Sequence, residues 1–489
     1  MSHALTEEQQ PVANFKGQKL VVKAYAGTGK TTTLVAFAKA NPDARILYVA
    51  YNRAIREDAQ ARFPSNVTCK TTHQLAYAAI GKDYRHKLSP NLRLRDITDA
   101  VNTFDWSLAQ DIRATIHAFA ISADKTIDRH HWPISLDATS KAKDRQAIVI
   151  HHAKRLWKAM CDVENREVSM THDGYFKLYQ LSQPDLSSRY DIVLLDEAQD
   201  SNPCAEAIVI DQPRCRVLLA GDPYQAIYQW RGAQDAMASH RVKDAKVMRI
   251  ATSFRFGERI SATANALLAL RGEKVPLRGL SQRQDCVIPS NQFQLKQSPV
   301  PQVTFLARTM MGVMQTALHF SRRKLSVHLV GGGDSYPLAD MEDLFWLSRN
   351  KRDHIRNKQL LRDFNDFTQY KAIAEETKDP EMLRAIKVLD TYPHFDQEMK
   401  MLEKRLSASP DDADIVVTTA HRAKGLEWEC VYLVDDFPDL FDDLDPAERD
   451  AEINLMYVAA TRAKTLLAIN TQLQKVVTRH NRAKGLSAA

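Results

Sequence analysis

The sequence predicts an α/β protein whose parallel sheets are covered by helices on both faces, and three observations predict it. Apolar, β-branched runs recur at residues 18–25, 45–52, 190–200, 214–222, 302–308, 326–332, 413–420 and 429–436. Helix-compatible sequence falls between them, the alternation of βαβ units. Charged and glycine-bearing motifs stand at the ends of several runs, where a parallel sheet presents its ligand-binding carboxyl edge.

The first run, "QKLVVKAY", leads into "AYAGTGKTTT" (Ala24 to Thr33), and "TTTLVAFAKA" beyond it reads as a helix. Strand, loop and helix in that order suit a phosphate-cradling loop. Backbone N–H groups from Ala26, Gly27, Thr28 and Gly29 to Lys30, Thr31 and Thr32 would wrap phosphates, the Lys30 ammonium would reach the terminal ones, and the Thr31 hydroxyl would ligate Mg²⁺. The glycine that usually opens such a loop is replaced by Ala24, which costs little where the backbone keeps a negative φ. A chance match is the competing reading, and the flanking strand and helix disfavour it.

The run at 190–200 ends in "IVLLDEAQD". Asp196 follows four apolar residues and suits a magnesium shell, while Glu197 suits the base that orients a water toward a γ-phosphate. An Asp-Glu pair at a strand end can also cap a helix. A separate phosphate loop elsewhere in the chain favours the chemical reading.

With 489 residues the chain has room for three or four folding units at ~100–200 residues each. Its 44% hydrophobic and 26% charged content is that of a globular protein, and no run approaches the ~18 apolar residues of a membrane span. The opening "MSHALTEEQQ" has no signal pattern, so a cytoplasmic or nucleoid-associated location is expected. Cys69, Cys161, Cys204, Cys215, Cys286 and Cys430 lie apart, without a CxxC pair, and read as reduced core thiols. A net charge of +7 is compatible with a polyanionic partner. Basic stretches at 82–95 and 141–158, and a tail with Lys464, Lys475, Arg479, Arg482 and Lys484, are open to two readings, phosphate contact or solvated surface. The acidic, aromatic segment "DDFPDLFDDLDPAERD" (435–450) reads as a solvated loop.

Residues 80–175 lack strand runs and read as a helical, DNA-contacting insertion, and 336–406 read as a second, smaller one. The first sheet domain is then expected in 1–79 and 176–250, the second in 251–335 and 407–489.

Further motifs carry a family resemblance. "DEAQD" (Asp196 to Asp200), "AGDPYQAIYQWRGA" (Ala220 to Ala233), "HRAKGLEWECVYLVD" (His421 to Asp435) and "INLMYVAATRAK" (Ile453 to Lys464) resemble the ordered motifs of superfamily 1 DNA helicases of the UvrD/Rep type. "LTEEQ" (Leu5 to Gln9), "VAYNRAI" (Val49 to Ile55), "CKTTHQLAY" (Cys69 to Tyr77) and "SFRFGERISATANALL" (Ser253 to Leu268) extend the match. "YNRAI", "CKTTHQLAY" and "NLMYVAATRAK" are similar in particular to the F-box-containing DNA helicases, although no segment reads as an F-box.

The resemblance implies two RecA-like parallel-sheet domains that sandwich ATP, each with a helical insertion. It places Gln9 on adenine and Phe254, where the family usually has tyrosine, in a stack against it. Lys30, Thr31, Asp196 and Glu197 would handle phosphate, Mg²⁺ and water, Gln225 would sense the γ-phosphate, and Arg255 and Arg462 would reach it. His421, Lys424, Gly425 and Glu427 would link nucleotide to DNA, with Glu427 on the nucleotide side. Tyr51, Asn52, Arg53, His73, Trp230 and Arg231 would line the DNA track. For the arginines the bland alternative is a surface ion pair, and for Trp230 it is a place in the core.

The expected activity is ATP-dependent translocation on single-stranded and tailed duplex DNA, 3′ to 5′, with unwinding or protein clearance. A nucleotide-gated module that displaces bound proteins without much unwinding is the alternative. No membrane association is expected, and no protein partner in repair or recombination can be read.

Overall fold

The structure, a computed structural model, describes residues 4–135, 138–297, 300–336 and 338–485. Its contacts divide the chain into two units. One holds the residues through Ala24 together with Gly29–Ile250, and the other holds Tyr25–Thr28 with the chain from Ala251 onward.

The first unit is built on strands β1 (Lys19–Ala24), β2 (Ile46–Ala50), β3 (Val67–Thr71), β6 (Ile192–Leu195), β7 (Arg216–Gly221) and β8 (Lys246–Ile250), while β4 (Leu88–Ser89) and β5 (Met170–Thr171) form a separate pair. The main sheet runs β3-β2-β6-β7-β1-β8, and every pairing is parallel. Parallel strands need crossover connections: the helix Arg53–Arg62 joins the neighbours β2 and β3, and the helix Lys30–Lys39 lies on the longer crossing from β1 to β2. β2 and β6 are buried at every position, so they read as continuous apolar runs and not as alternating ones. The edge strands differ: β3 alternates buried and exposed residues, and β8 is mostly exposed.

Helices Leu94–Val101, Trp106–Ile121, Ser140–Cys161 and His172–Leu181 lie between β3 and β6. Ile116, Phe119, Val149 and Leu156 share one apolar core with Val21, Leu47, Val193 and Val217 of the sheet. The helical region is thus an extension of one face of the sheet. Its last helix, His172–Leu181, runs through residue 175, and the two short strands β4 and β5 lie in the stretch read as strandless.

The second unit carries β9 (Cys286–Pro289), β10 (Val303–Ala307), β11 (Val327–Leu329), β12 (Ile415–Thr419), β13 (Trp428–Leu433) and β14 (Ala463–Ile469). They run β11-β12-β10-β13-β14-β9, again all parallel. Five helices from Leu338–Ser348 to Phe395–Glu403 follow β11, and Phe345, Phe395 and Leu402 join the core under β10 and β12. The protein is therefore α/β, with two parallel-sheet units of the kind RecA-like domains form. Among the described residues no helix is long and apolar enough to cross a membrane. All six cysteines are free.

Several charges that invited a nucleic-acid reading have structural partners. Lys87 is buried, and its Nζ donates to Ala159 O at 3.2 Å, Asp162 O at 2.8 Å and Asn165 O at 2.8 Å. It satisfies the carbonyls left open where the helix Ser140–Cys161 ends. In the tail, Lys475 Nζ lies 2.6 Å from Asp439 Oδ2, and the Arg479 guanidinium lies 3.6 Å from the centre of the Phe441 ring. The acidic segment and the basic tail thus hold one another within the second unit.

Replacing Lys87 by Met keeps the stem and removes the donors, leaving three carbonyls short of a partner. We expect Lys87→Met to lose about 2 kcal/mol in urea unfolding with single-stranded DNA affinity unchanged. A stable variant with weakened DNA binding would return Lys87 to the phosphate-contact reading.

Candidate nucleotide and nucleic-acid site

Register places the motifs of the first unit at one edge. Lys23 of β1 sits opposite Gly221 of β7, and Leu219 of β7 sits opposite Leu195 of β6, so the three strands end side by side. The phosphate loop follows β1, Asp196 and Glu197 follow β6, and Asp222 follows β7. In this loop Gly27 and Gly29 have φ of 73° and 75°, the left-handed region where glycine carries no penalty. Ala24 is not among the residues with positive φ, so the missing opening glycine costs nothing in backbone strain. A Cβ on Gly27 would lie 2.5 Å from Ser253 Oγ, so this close approach also requires glycine. Gly29 then begins the helix Lys30–Lys39, whose Thr33 hydroxyl donates to Gly29 O at 3.0 Å.

At the centre, Lys30 Nζ lies 2.6 Å from Glu197 Oε1 and 3.7 Å from Asp196 Oδ1. Burial works against the ammonium, but the two carboxylates outweigh it and hold the Lys30 pKa above its ordinary value. Burial also raises the Asp196 carboxyl above the usual carboxylate range, an effect that Lys30 offsets in part. Tyr48, fully buried on β2, donates its hydroxyl to Asp196 Oδ2 at 2.6 Å. Glu197 adopts φ 52°, a left-handed conformation that a non-glycine residue holds only when its surroundings impose it.

Lys30, Asp196 and Gln199 all bond to Glu197, and Gln199 carries the contact onward. Its Nε2 donates to Glu197 Oε2 at 2.6 Å, and its Oε1 accepts from Asp222 N at 3.1 Å. Asp222 Oδ2 accepts from Gln225 Nε2 at 2.8 Å, so a chain of hydrogen bonds runs from Glu197 to Gln225. Residues Tyr48, Gln199 and Asp222 were not singled out from sequence. Gln199 lies inside "DEAQD" and Asp222 inside "AGDPYQAIYQWRGA", whereas nothing in the sequence marks Tyr48 among the apolar residues of its strand.

The remaining residues expected at the nucleotide are spread between the two units. Gln9 is buried in the short helix Gln9–Ala13, and its Oε1 accepts from Thr6 N at 3.1 Å. Thr31 is partly buried, and Thr32 Oγ1 accepts from Arg62 at 2.9 Å. In the second unit, Ala26 N donates to the Tyr457 hydroxyl at 3.3 Å, Thr28 Oγ1 donates to Tyr25 O at 2.8 Å, and Phe254 N donates to Gly27 O at 2.8 Å. Phe254 is 36% exposed, as a ring offered to a ligand must be. Arg255 Nε donates to Glu427 Oε2 at 2.7 Å. Arg462 is only 1% exposed, and its guanidinium donates to Val458 O at 2.9 Å, Leu426 O at 3.2 Å and Thr461 Oγ1 at 3.1 Å. Glu427 precedes β13 and Arg462 precedes β14, so both stand at the amino edge of the second sheet, while His421 follows the carboxyl end of β12 and Lys424 and the left-handed Gly425 lie in the connection from there to β13.

The expected DNA track has its own anatomy. Trp230 is 66% exposed, which rules out the core reading, and the Arg231 guanidinium lies over its ring at 4.6 Å. Tyr51 stacks on Tyr228 with ring centres 5.4 Å apart. Asn52 caps the helix Arg53–Arg62 by accepting from Ile55 N at 2.9 Å, while Arg53 pairs with Glu57 at 2.8 Å. His73 stacks on Phe176 at 4.9 Å and approaches Asp173 at 3.4 Å.

An all-parallel sheet that gathers a phosphate loop, its lysine and a strand-end Asp-Glu pair at one carboxyl edge is the arrangement of a P-loop nucleotide-binding protein. Residues 5–246 match the UvrD/REP helicase N-terminal domain, and residues 225–474 match the UvrD-like helicase C-terminal domain. The chain belongs to the UvrD-like helicase family. It is 31% identical over 514 residues to F-box DNA helicase 1 of Gallus gallus, covering 97% of this chain and 50% of that protein. It is 32% identical over 521 residues to F-box DNA helicase protein 1 of Schizosaccharomyces pombe, covering 96% of this chain and 58% of that protein. The chain thus spans between half and three fifths of the length of these relatives.

The Gln199 bridge makes a specific claim on stability. Gln199→Leu removes the hydrogen bonds that Gln199 makes to Glu197 Oε2 and to Asp222 N, and we expect it to cost about 2 kcal/mol, read as a lowered urea midpoint. A midpoint equal to that of the parent would show that the bridge carries no stability.

Proposed function

We propose that this chain is an ATP-driven DNA helicase that translocates 3′ to 5′ on single-stranded DNA. The observation that carries the ATPase part is the Lys30–Asp196–Glu197 cluster: a buried cation between two carboxylates at the head of a parallel sheet, with a glycine-lined loop beside it. Family membership supports DNA as the track, and the two relatives are both named DNA helicases. The polarity rests on the motif resemblance.

In this reading the loop N–H groups and Lys30 hold the phosphates, and Thr31 and Asp196 hold Mg²⁺. The metal, when bound, neutralises charge on the phosphate oxygens. Glu197, released from its pairing with Lys30 as the ammonium turns to phosphate, orients the attacking water. Arg255 and Arg462 stabilise charge in the transition state. Arg462 must exchange backbone and hydroxyl partners, Val458 O, Leu426 O and Thr461 Oγ1 among them, for phosphate, so its action is conditional on rearrangement.

On the DNA side, Trp230 supplies an exposed ring, and Gln225 stands five residues earlier in the same segment. A change at the phosphate sensor reaches the stacking platform through few bonds. Stacking tolerates any base, which suits movement along arbitrary sequence.

Single-stranded DNA should stimulate ATP hydrolysis, and a 3′-tailed duplex should be unwound in preference to a 5′-tailed one. Displacement of bound protein without strand separation would assign the remodelling activity instead. Glu197→Gln should retain Mg·ATP binding and lose turnover. A normal turnover rate in that variant would remove Glu197 from the role of base. Arg462→Ala should bind ATP with modest loss and hydrolyse it roughly a thousandfold more slowly. Loss of affinity with turnover intact at saturation would place Arg462 in the ground state only.

Trp230→Ala should keep its melting temperature within about 2 °C, since little burial is lost. It should lose most DNA-stimulated hydrolysis, because base stacking is worth about 1–3 kcal/mol. Full DNA stimulation in the variant would exclude Trp230 from the track.

A further inference from the structure

Gly27, Phe254, Arg255, Arg283, Glu427 and Lys464 line a cavity of about 220 Å³, and all six belong to the second unit. Three are cations and one is a carboxylate. That carboxylate is shared: Glu427 Oε2 accepts from Arg255 Nε at 2.7 Å, and Glu427 Oε1 lies 3.2 Å from Lys464 Nζ. Burial would raise the Glu427 carboxyl, but Arg255 and Lys464 hold it below its usual range, so it stays ionised and committed to them. Arg255 also donates to Thr461 O at 2.9 Å, and Lys464 lies 3.5 Å from Glu429.

Arg283 is different. Its guanidinium donates to Arg255 O at 3.0 Å, and among the described residues no carboxylate pairs with it. The cavity therefore has an unneutralised positive charge presented by one side chain.

The backbone that presents Arg283 is fixed. Leu280 N donates to Phe256 O at 3.0 Å, and Arg283 N donates to Leu280 O at 3.0 Å. Asp285 accepts from Arg259 N at 3.0 Å and from Ile260 N at 2.8 Å, tying the turn to the first residues of the helix Glu258–Leu270. A Cβ on Gly257 would come within 2.2 Å of Arg283 O, so only glycine permits the approach. These contacts hold Arg283 beside Phe254 and Arg255 without any help from its own charge.

We infer that Arg283 is a further nucleotide-binding residue, whose guanidinium contacts the phosphates of ATP in the cavity it shares with Phe254, Arg255 and Gly27. The inference rests on the ATPase reading above. A guanidinium suits this role because its planar fork matches phosphate oxygens in pairs. The aromatic wall and the phosphate-loop glycine favour a nucleotide over the backbone of a nucleic acid, which needs an open groove.

The test is titration of the full chain with a fluorescent ATP analogue and Mg²⁺ in the absence of DNA, for the parent, Arg283→Ala, Arg283→Lys and Arg283→Glu. A single-stranded oligonucleotide and thermal melting are measured in parallel. The expected result is an affinity for the analogue about tenfold weaker in Arg283→Ala, less weakened in Arg283→Lys and most weakened in Arg283→Glu. Oligonucleotide affinity and melting temperature should not move.

Parent-like affinity in Arg283→Ala overturns the inference. So does an equal loss in all three variants with a falling melting temperature, which would make Arg283 a structural tie to Arg255. Loss of oligonucleotide affinity with intact analogue affinity would assign the charge to nucleic-acid phosphate and overturn it as well. A parent that fails to bind the analogue overturns the ATPase reading itself, an outcome distinct from an indifferent Arg283.

Discussion

A buried ammonium between two carboxylates is the constraint around which the first unit is arranged. Lys30, Asp196 and Glu197 lie at the end of a sheet whose flanking positions are apolar, where a charge without partners would cost several kcal/mol. The cluster persists because each member is satisfied: Lys30 by Glu197, Asp196 by the Tyr48 hydroxyl and the Glu197 N–H, and Glu197 by Gln199. Lys30 lies on the helix that follows β1, Tyr48 lies on β2, and Asp196, Glu197 and Gln199 follow β6, with Gln199 reaching onward to the end of β7. The strand order β2-β6-β7-β1 is therefore the geometric condition for the chemistry. Removing any strand from that set would strand a charge.

The second unit uses its sheet differently. Arg462 and Glu427 stand where β14 and β13 begin, and helix Pro446–Ala460 ends immediately before Arg462. The Arg462 guanidinium turns back onto carbonyls of that helix end and of the segment before β13, so the helix terminus itself stores the group. Arg255, Glu427 and Lys464 form a compact charge network beside it. Opposite-charge pairing inside the unit keeps these side chains ordered, while Arg283 leaves the network with a net positive face.

Much of the fold was legible in the sequence because most central strands are buried along nearly their whole length. β2, β6, β7, β10 and β12 fall within apolar runs, since a strand covered on both faces is apolar almost throughout, while β13 overlaps its run but begins with Trp428 and the exposed Glu429. Strands β3, β8, β9 and β14 of the two main sheets fall outside the apolar runs. β3, β8 and β9 are edge strands: β3 and β8 carry polar residues that dilute the signal, and β9 is a four-residue strand that ends in proline. β14 lies inside the sheet, but "AKTLLAI" is rich in alanine and leucine and suits a helix equally well. The basic stretch at 82–95 stayed open to two readings for a related reason: a lysine at position 87 looks the same in sequence whether it faces solvent or closes a helix end.

By itself the sequence determined what depends on neighbours along the chain. A phosphate loop is a run of contiguous residues with two glycines at left-handed φ, and "AYAGTGKTTT" carries that information in full. The tertiary structure alone decided what depends on neighbours across the sheet. Lys30 and Glu197 stand 167 positions apart, and only the parallel register of β1, β7 and β6 brings their charged ends within 2.6 Å. The same holds for Tyr48 on Asp196, Arg479 on Phe441 and Arg283 beside Phe254, since side-chain convergence is set by strand order and turn geometry, which no local pattern encodes.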